Sequence, residues 1–415
     1  MTTPVHVRNP RRFSDEAAAT AADVAANLRG WEEAVQEVTS WPEYEPQPLR
    51  ALPGLAASLG VGQLFYKDES QRFGRRLGSF KALGAPYTVF CLLREAVATA
   101  TGAPVSADEL RSGAHADITR DVTVCVATDG NQGRGLAYGA QTFGCRCVTY
   151  VHRHVSDHRV RAMKDLGATV IRVDGEYEAS VARAREDAQM NGWHFVSSTS
   201  WEDFDDAIPR HVMNAYMVMV EEAIEQLPDP DTVTHVFMQG GVGSIPAAIF
   251  LGFAERSPRR LPRFVVVEPV EANCLQQSAR AGRPTPSSGS LHTVMAGVAC
   301  REVSPAAWKV LDWLASDFVT MADDSAVEAM RQLASGDHDV PIVSGESAAG
   351  GMGVLIAAAA DPALRTALAL DGRSTVVLFG GEGATDPDVY QRLVGTSPDD
   401  VFERQAHHQP AGPAG

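Results

Sequence analysis

The sequence predicts an α/β protein of two lobes, with mostly parallel, twisted sheets flanked by helices. Three observations carry that expectation. The chain has 415 residues, more than one average domain of roughly 100–200 residues. Short β-branched runs alternate with segments of helix length. Several runs end in Gly or Asp and pass straight into a helix, where open α/β sheets hold their ligands.

In chain order, the stretch to about Pro48 is mixed and polar, with a helical pattern over Glu16–Trp31. The strand candidates are Leu64–Lys67, Val122–Thr128, Cys147–His152, Thr169–Val173, His235–Met238, Arg263–Val267 and Thr375–Phe379. They are continuous apolar runs, as parallel strands buried on both faces require. Helices are predicted over Ala82–Leu92, Gly133–Thr142, Ser156–Leu166, Glu178–Met190, Ile208–Gln226 and Asp324–Leu333. The tail His407–Gly415, rich in Pro, Gly and Ala, is expected to be disordered. No internal repeat is found.

Hydrophobic residues make up 45% and charged residues 21%, which excludes a largely disordered chain. Lys and Arg total 36 against 52 Asp and Glu, a net charge of −16. That balance argues against broad nucleic-acid binding and against attraction to an anionic membrane. A small anion site built from backbone amides stays open. The six cysteines read as buried free thiols in a reducing cytosol. Cys145 and Cys147 have no matching second pair, so no metal is expected. The segment MTTPVHVRNPRRF has basic residues without an apolar core behind them, unlike a secretory signal. Ile245–Ala254 and Gly351–Ala360 fall short of the ~20 residues of a membrane span. A cytoplasmic location is expected.

Four strand-end segments carry chemistry. In the first, Lys67-Asp68-Glu69-Ser70 precedes Gly78-Ser79-Phe80-Lys81-Ala82-Leu83-Gly84. Lys81 stands among apolar and small residues at a helix start. Desolvation and the positive helix end would both lower its pKa, and a neutral amine can form a Schiff base with an aldehyde. Alone, the segment fits better a lysine whose stem packs while its head reaches solvent. The second is Thr128-Asp129-Gly130-Asn131-Gln132-Gly133-Arg134-Gly135. Asp129 is a candidate acid or base, Asn131 offers donors and an acceptor, and the glycines admit a flat ligand. A plain turn with a capped helix fits equally well.

The third is Gln239-Gly240-Gly241-Val242-Gly243-Ser244, a glycine loop before an apolar helix. It is no Walker loop, and Pro246 spoils a dinucleotide fingerprint, so a single phosphate is the better fit. The fourth pairs Ser344-Gly345-Glu346-Ser347 with Gly380-Gly381-Glu382-Gly383-Ala384-Thr385-Asp386. Glu346 and Glu382 could line the cleft, and singly each fits better as a solvated loop charge. Together the four match the needs of pyridoxal 5'-phosphate: lysine for the aldehyde, asparagine for the phenolic oxygen, glycine loop for the phosphate, last loop near the ring nitrogen.

On these residues the chain resembles the fold type II pyridoxal-phosphate enzymes, the tryptophan synthase β-like group, and within it the diaminopropionate ammonia-lyases. The resemblance also covers Arg72-Phe73-Gly74, Val267-Glu268-Pro269 and Met295-Ala296-Gly297, over roughly Pro42–Val394. It implies Lys81 as Schiff-base lysine and proton carrier, Asp129 as acidic base and Asn131 as partner of the phenolic oxygen. It implies Gly240, Gly241, Val242, Gly243 and Ser244 as the phosphate cup. Glu346 and Thr385 go with the cofactor, and Ser79, Asp129 and Ser198 with the substrate. It further implies a homodimer, with residues 84–190 as a small lobe inserted between 1–83 and 191–415.

Two departures from the family pattern stand out. Before Trp201 the family has Asp-Thr-Ala; here the stretch is Ser198-Thr199-Ser200, so Ser198 replaces a carboxylate. That should alter recognition of a substrate's second ammonium group. Gly380, Gly381 and Ala384 replace Ser, Thr and Asp, which leaves Thr385 or a water for the pyridine nitrogen. The resemblance implies α,β-elimination from 2,3-diaminopropionate or a related β-substituted amino acid, giving a 2-oxo acid and ammonia. β-Replacement through the same aminoacrylate, or a threonine or serine dehydratase, is the alternative.

Overall fold

The computed structural model describes residues 4–28, 30–199, 207–256 and 261–408. Trp201 and residues 409–415 of the tail lie outside them.

Eleven strands form among the described residues: β1 (Val5–Arg8), β2 (Leu49–Ala51), β3 (Gln63–Asp68), β4 (Thr123–Ala127), β5 (Arg146–His152), β6 (Thr169–Val173), β7 (His194–Phe195), β8 (His235–Gln239), β9 (Arg263–Pro269), β10 (Asp317–Met321) and β11 (Thr375–Gly380). One sheet of seven has the order β1-β10-β9-β8-β11-β3-β2, and one of four the order β6-β5-β4-β7. Every pairing in the smaller sheet is parallel. In the larger sheet only the two edge strands, β1 and β2, run antiparallel. This is the expected α/β architecture.

All seven predicted strands form; six are buried along most of their length, while β6, at the edge of the smaller sheet, is exposed at Thr169 and Arg172. β7 joins the smaller sheet although it lies just past the 84–190 span expected for the inserted lobe. The expected helix Glu16–Trp31 is two helices, Asp15–Asn27 and Trp31–Thr39. Gly30, at φ 102°, breaks it in a left-handed turn. The tail stays helical to His407, with Ser397 capping the helix.

The long helix Lys81–Thr101 links the two sheets, packing on the smaller sheet's helix Asn131–Phe143 and on the helix Ala207–Gln226. Glycines set the first contact. A Cβ at Gly135 would lie 2.7 Å from the carbonyl oxygen of Lys81, and one at Gly139 would lie 2.7 Å from Cα of Pro86. Gly135 therefore serves helix packing rather than a flat ligand.

The segment Lys67–Arg72 anchors the other end. Nζ of Lys67 meets Glu69 at 2.9 Å and Glu222 at 2.6 Å; Arg72 meets the same two carboxylates at 2.7 and 2.6 Å. All four side chains are buried. Two cations face two anions, so the cluster is neutral. Each charge has hydrogen-bonding partners, which a buried ion requires. The Lys-Asp-Glu-Ser segment thus holds β3 to the helix Ala207–Gln226 and leaves the chemistry to the residues after it. No helix among the described residues is long and apolar enough to cross a membrane.

Candidate active site

A cleft opens at the carboxyl ends of β4, β8 and β11, with Lys81 on its wall. Lys81 is the first residue of its helix. Its Nζ lies 5.0 Å from the centre of the Phe80 ring and 5.9 Å from that of Tyr216. Those rings keep water off the amine, and burial pushes its pKa below the ordinary lysine value despite the nearby charge of Glu382. Ser79, expected to meet substrate, is buried behind this turn, where its Oγ accepts the Lys81 amide at 3.4 Å.

Asp129, Gly130 and Asn131 turn from β4 into the helix Asn131–Phe143. Thr128 ties the turn: its Oγ1 accepts the amides of Gly130 at 2.9 Å and Gly133 at 3.0 Å. Asn131 is oriented from both ends. Arg134 donates to its Oδ1 at 2.6 Å, and its Nδ2 donates to Glu382. Arginine can only donate and carboxylate only accept, so the amide's orientation is forced. One N–H of Asn131 remains for a ligand oxygen.

Across the cleft, Gly240, Gly241, Val242 and Ser244 line the wall, while Gly243 sits behind it. Gly241 and Gly243 take φ 66° and 99°, open to glycine at little cost. Among the described residues no carbonyl accepts from the amides of Gly241, Val242 and Gly243. They stand at the head of the helix Ser244–Arg256, the arrangement that binds one phosphate. Ser244 donates its Oγ to the carbonyl of Ser198 at 2.6 Å, which brings Ser198 to the cleft wall. Behind the loop, Glu268 accepts the amides of Leu275 and Gln276 at 2.9 and 2.8 Å; burial raises its carboxyl to about 8.

Two expected cofactor residues are not on this wall. Glu346 is buried and paired with Arg159 at 3.0 Å. Burial and the charge of Glu382 lift its carboxyl to about 7. Thr385 is buried on the far side of its loop, and its Oγ1 has no hydrogen-bond partner among the described residues. Glu382, read singly as a solvated charge, is buried and faces the cleft instead. A motif cannot tell alternate loop residues apart; the bridge between Ser79 and Glu382 decides which turn inward.

The glycine departures are explained by neighbours. A Cβ at Gly380 would run into the Tyr66 ring, and one at Gly381 would lie 2.9 Å from Phe80. Those rings occupy the room that larger residues need. The hydroxyl at this end of the cleft is Ser347, whose Oγ accepts the Gly297 amide at 2.9 Å. Sequence reasoning also missed Phe80, Tyr177, Arg159 and Cys300, all on the cleft wall. Only Phe80 had a local signal, its place beside Lys81.

The residues present therefore fit pyridoxal 5'-phosphate: a desolvated amine, a glycine loop at a helix head whose amides give nothing to a carbonyl, and a fixed asparagine N–H. The comparisons with known proteins agree. Residues 41–380 match the family described as pyridoxal-phosphate dependent enzyme. The chain is 37% identical over 358 residues to the diaminopropionate ammonia-lyase of Escherichia coli (strain K12), covering 85% of this chain and 87% of that one. The crystal structure of holo diaminopropionate ammonia lyase from Escherichia coli superposes with a TM-score of 0.80 at 32% identity, covering 94% of this chain and 96% of that one. The same enzyme in complex with D-serine gives 0.79 at 33% identity, with the same coverage. This chain belongs to the pyridoxal-phosphate dependent enzymes, with the fold type II architecture.

Proposed function

We propose that this protein is a pyridoxal-phosphate dependent ammonia-lyase, eliminating the β-substituent of 2,3-diaminopropionate or a close analogue to release pyruvate and ammonia. The observation that carries the reading is one cleft holding desolvated Lys81, Asp129, oriented Asn131 and the loop Gly240–Ser244. Lys81 would hold the cofactor's aldehyde carbon, Asn131 its phenolic oxygen, and the loop amides its phosphate. When bound, the cofactor withdraws the electron pair left by the departing α-proton.

The chain supplies the rest. Phe80 and Tyr216 keep Lys81 partly dry, so its amine is available uncharged to take up a proton. Asp129 is the second group that can take the α-proton, and the protonated amine of Lys81 can return one to the leaving β-group. Glu382 and Arg134 hold Asn131 rigid, so its N–H reaches its partner without reorganising. Ser198 lines the cleft where a substrate's β-group would lie. The D-serine complex of the similar enzyme supports small amino acids of D configuration as substrates. The reading includes a cytoplasmic homodimer, checked by light scattering and fractionation.

The test is direct. Purified protein is incubated with pyridoxal 5'-phosphate, its visible spectrum recorded, and D- or L-2,3-diaminopropionate added. The expected result is a visible band absent in Lys81→Ala, with one pyruvate and two ammonia per turnover. A band without oxo acid would sink the elimination reading. A new carbon–nitrogen or carbon–sulfur adduct would replace it with β-replacement.

A further inference from the structure

Asp129 is not free in the cleft. Its Oδ1 lies 2.7 Å from Nε2 of His152, the last residue of β5. β5 pairs with β4, so the strand order itself sets the imidazole beside the turn that carries Asp129. The other ring nitrogen, Nδ1, accepts the backbone N–H of His154 at 3.3 Å. A nitrogen that accepts carries no proton. The proton therefore sits on Nε2 and points at the carboxylate.

The surroundings keep this pair intact. Arg159, on the helix Asp157–Lys164, donates to the backbone carbonyl of Asp129 at 3.2 Å, so the turn is fixed through its backbone as well as its side chain. The His154 ring stands 5.9 Å from that of His152 and meets Glu176 at 3.4 Å. Arg153 is drawn outward to Glu176 at 3.2 Å and Asp174 at 3.8 Å. The side chains of Asp129 and His152 are 33% and 17% exposed, at the edge of the cleft where a substrate arrives.

We infer that His152 is the positioning residue of Asp129. Its neutral imidazole donates to Oδ1, holds the carboxylate in one rotamer and leaves Oδ2 to meet the substrate's proton. A carboxylate held at one oxygen by a fixed donor presents the other in a single direction, as a positioned base requires. The inference rests on the reading of Asp129 as a proton acceptor.

The test uses the holoenzyme with 2,3-diaminopropionate and compares kcat and KM, measured separately, for wild type, His152→Ala, His152→Gln and Asp129→Asn. Glutamine keeps a neutral N–H at similar reach and does not titrate. His152→Ala is expected to lower kcat about tenfold with KM little changed, the cost of a misaimed group. His152→Gln should recover most of the rate. Wild-type kcat in His152→Ala would overturn the inference, as would equal losses of kcat in His152→Ala and His152→Gln. A wild-type rate in Asp129→Asn would sink the reading of Asp129 instead. A second readout needs no turnover: in histidine-labelled holoenzyme, the nitrogen shifts of His152 should show Nε2 protonated and change in Asp129→Asn. The opposite tautomer would overturn the inference.

Discussion

Replacing Glu222 by glutamine tests whether the buried ion cluster holds the active-site scaffold. Its carboxylate takes Lys67 Nζ at 2.6 Å, Arg72 at 2.6 and 2.7 Å, the Tyr44 hydroxyl at 2.8 Å and the Gln47 amide at 3.2 Å. Glu222→Gln leaves two buried cations against Glu69 alone, and turns an N–H₂ toward groups of which only the Tyr44 hydroxyl can accept. Breaking one side of such a cluster costs about 3–5 kcal/mol. A separate route gives a similar figure. Burial alone would raise this carboxyl, but Arg72 and Lys67 hold it from its ordinary 4.5 down to about 2. At about 1.4 kcal/mol per pH unit, that is about 3 kcal/mol.

Unfolding entropy of about 2.1 cal/mol/K per residue over 415 residues gives about 0.9 kcal/mol/K, so the melting midpoint should fall by roughly 3–6 °C at pH 7. The pKa is depressed, so the stabilisation is present above pH 4.5 and is lost as pH falls toward 2. Thermal unfolding of both proteins from pH 7 to pH 3 is the assay. The gap should shrink by about half by pH 3. A midpoint within 1 °C of wild type at pH 7, or a gap that stays constant down to pH 3, would refute the reasoning.

Three further outcomes are expected. In Gly240→Ala the new methyl would sit 2.8 Å from Cγ of Glu268 and 2.9 Å from Leu275, so the loop proposed to hold the phosphate must shift; cofactor affinity should drop at least about tenfold in a fluorescence titration, and an unchanged Kd would count against the loop. Glu346, lifted to about 7 by burial and Glu382, stabilises the fold below pH 4.5 and loses that contribution as pH rises through 7. Glu346→Gln should flatten the pH dependence of stability in that window by about one proton, as measured by urea unfolding. Phe80→Ala rehydrates Lys81 and returns its pKa toward the ordinary lysine value. Formation of the visible band at pH 7 should slow about tenfold in stopped-flow mixing, with recovery at higher pH.

Much of the molecule was legible in its chain. β4 is buried along all five residues, and no partner had to be known to read its run of β-branched side chains as an interior strand. The strands that escaped notice show why others are harder. β1 and β2 are short edges with exposed positions, and β7 has two residues. β10 is wholly buried but begins with Asp317, whose charge is met by Arg263 at 2.7 Å and His6 at 2.8 Å. Those partners come from distant segments, so no local pattern announces that an aspartate can start a core strand.

The residues proposed to hold the cofactor were equally local in their signal. A lysine among small residues, an asparagine turn and a glycine loop each lie within one segment, because backbone amides and helix ends are local features. The chain alone thus determined the α/β class and the cofactor chemistry, and singled out Lys81, Asn131 and the loop Gly240–Ser244 as the residues proposed to hold the cofactor. Only the tertiary structure decided which acidic residue faces the cleft. Glu382 turns inward while Glu346 is withdrawn into a pair with Arg159, and His152 comes to Asp129 across a strand pairing. Those outcomes depend on contacts between segments far apart in sequence, where burial and charge are settled jointly and no single stretch holds the information.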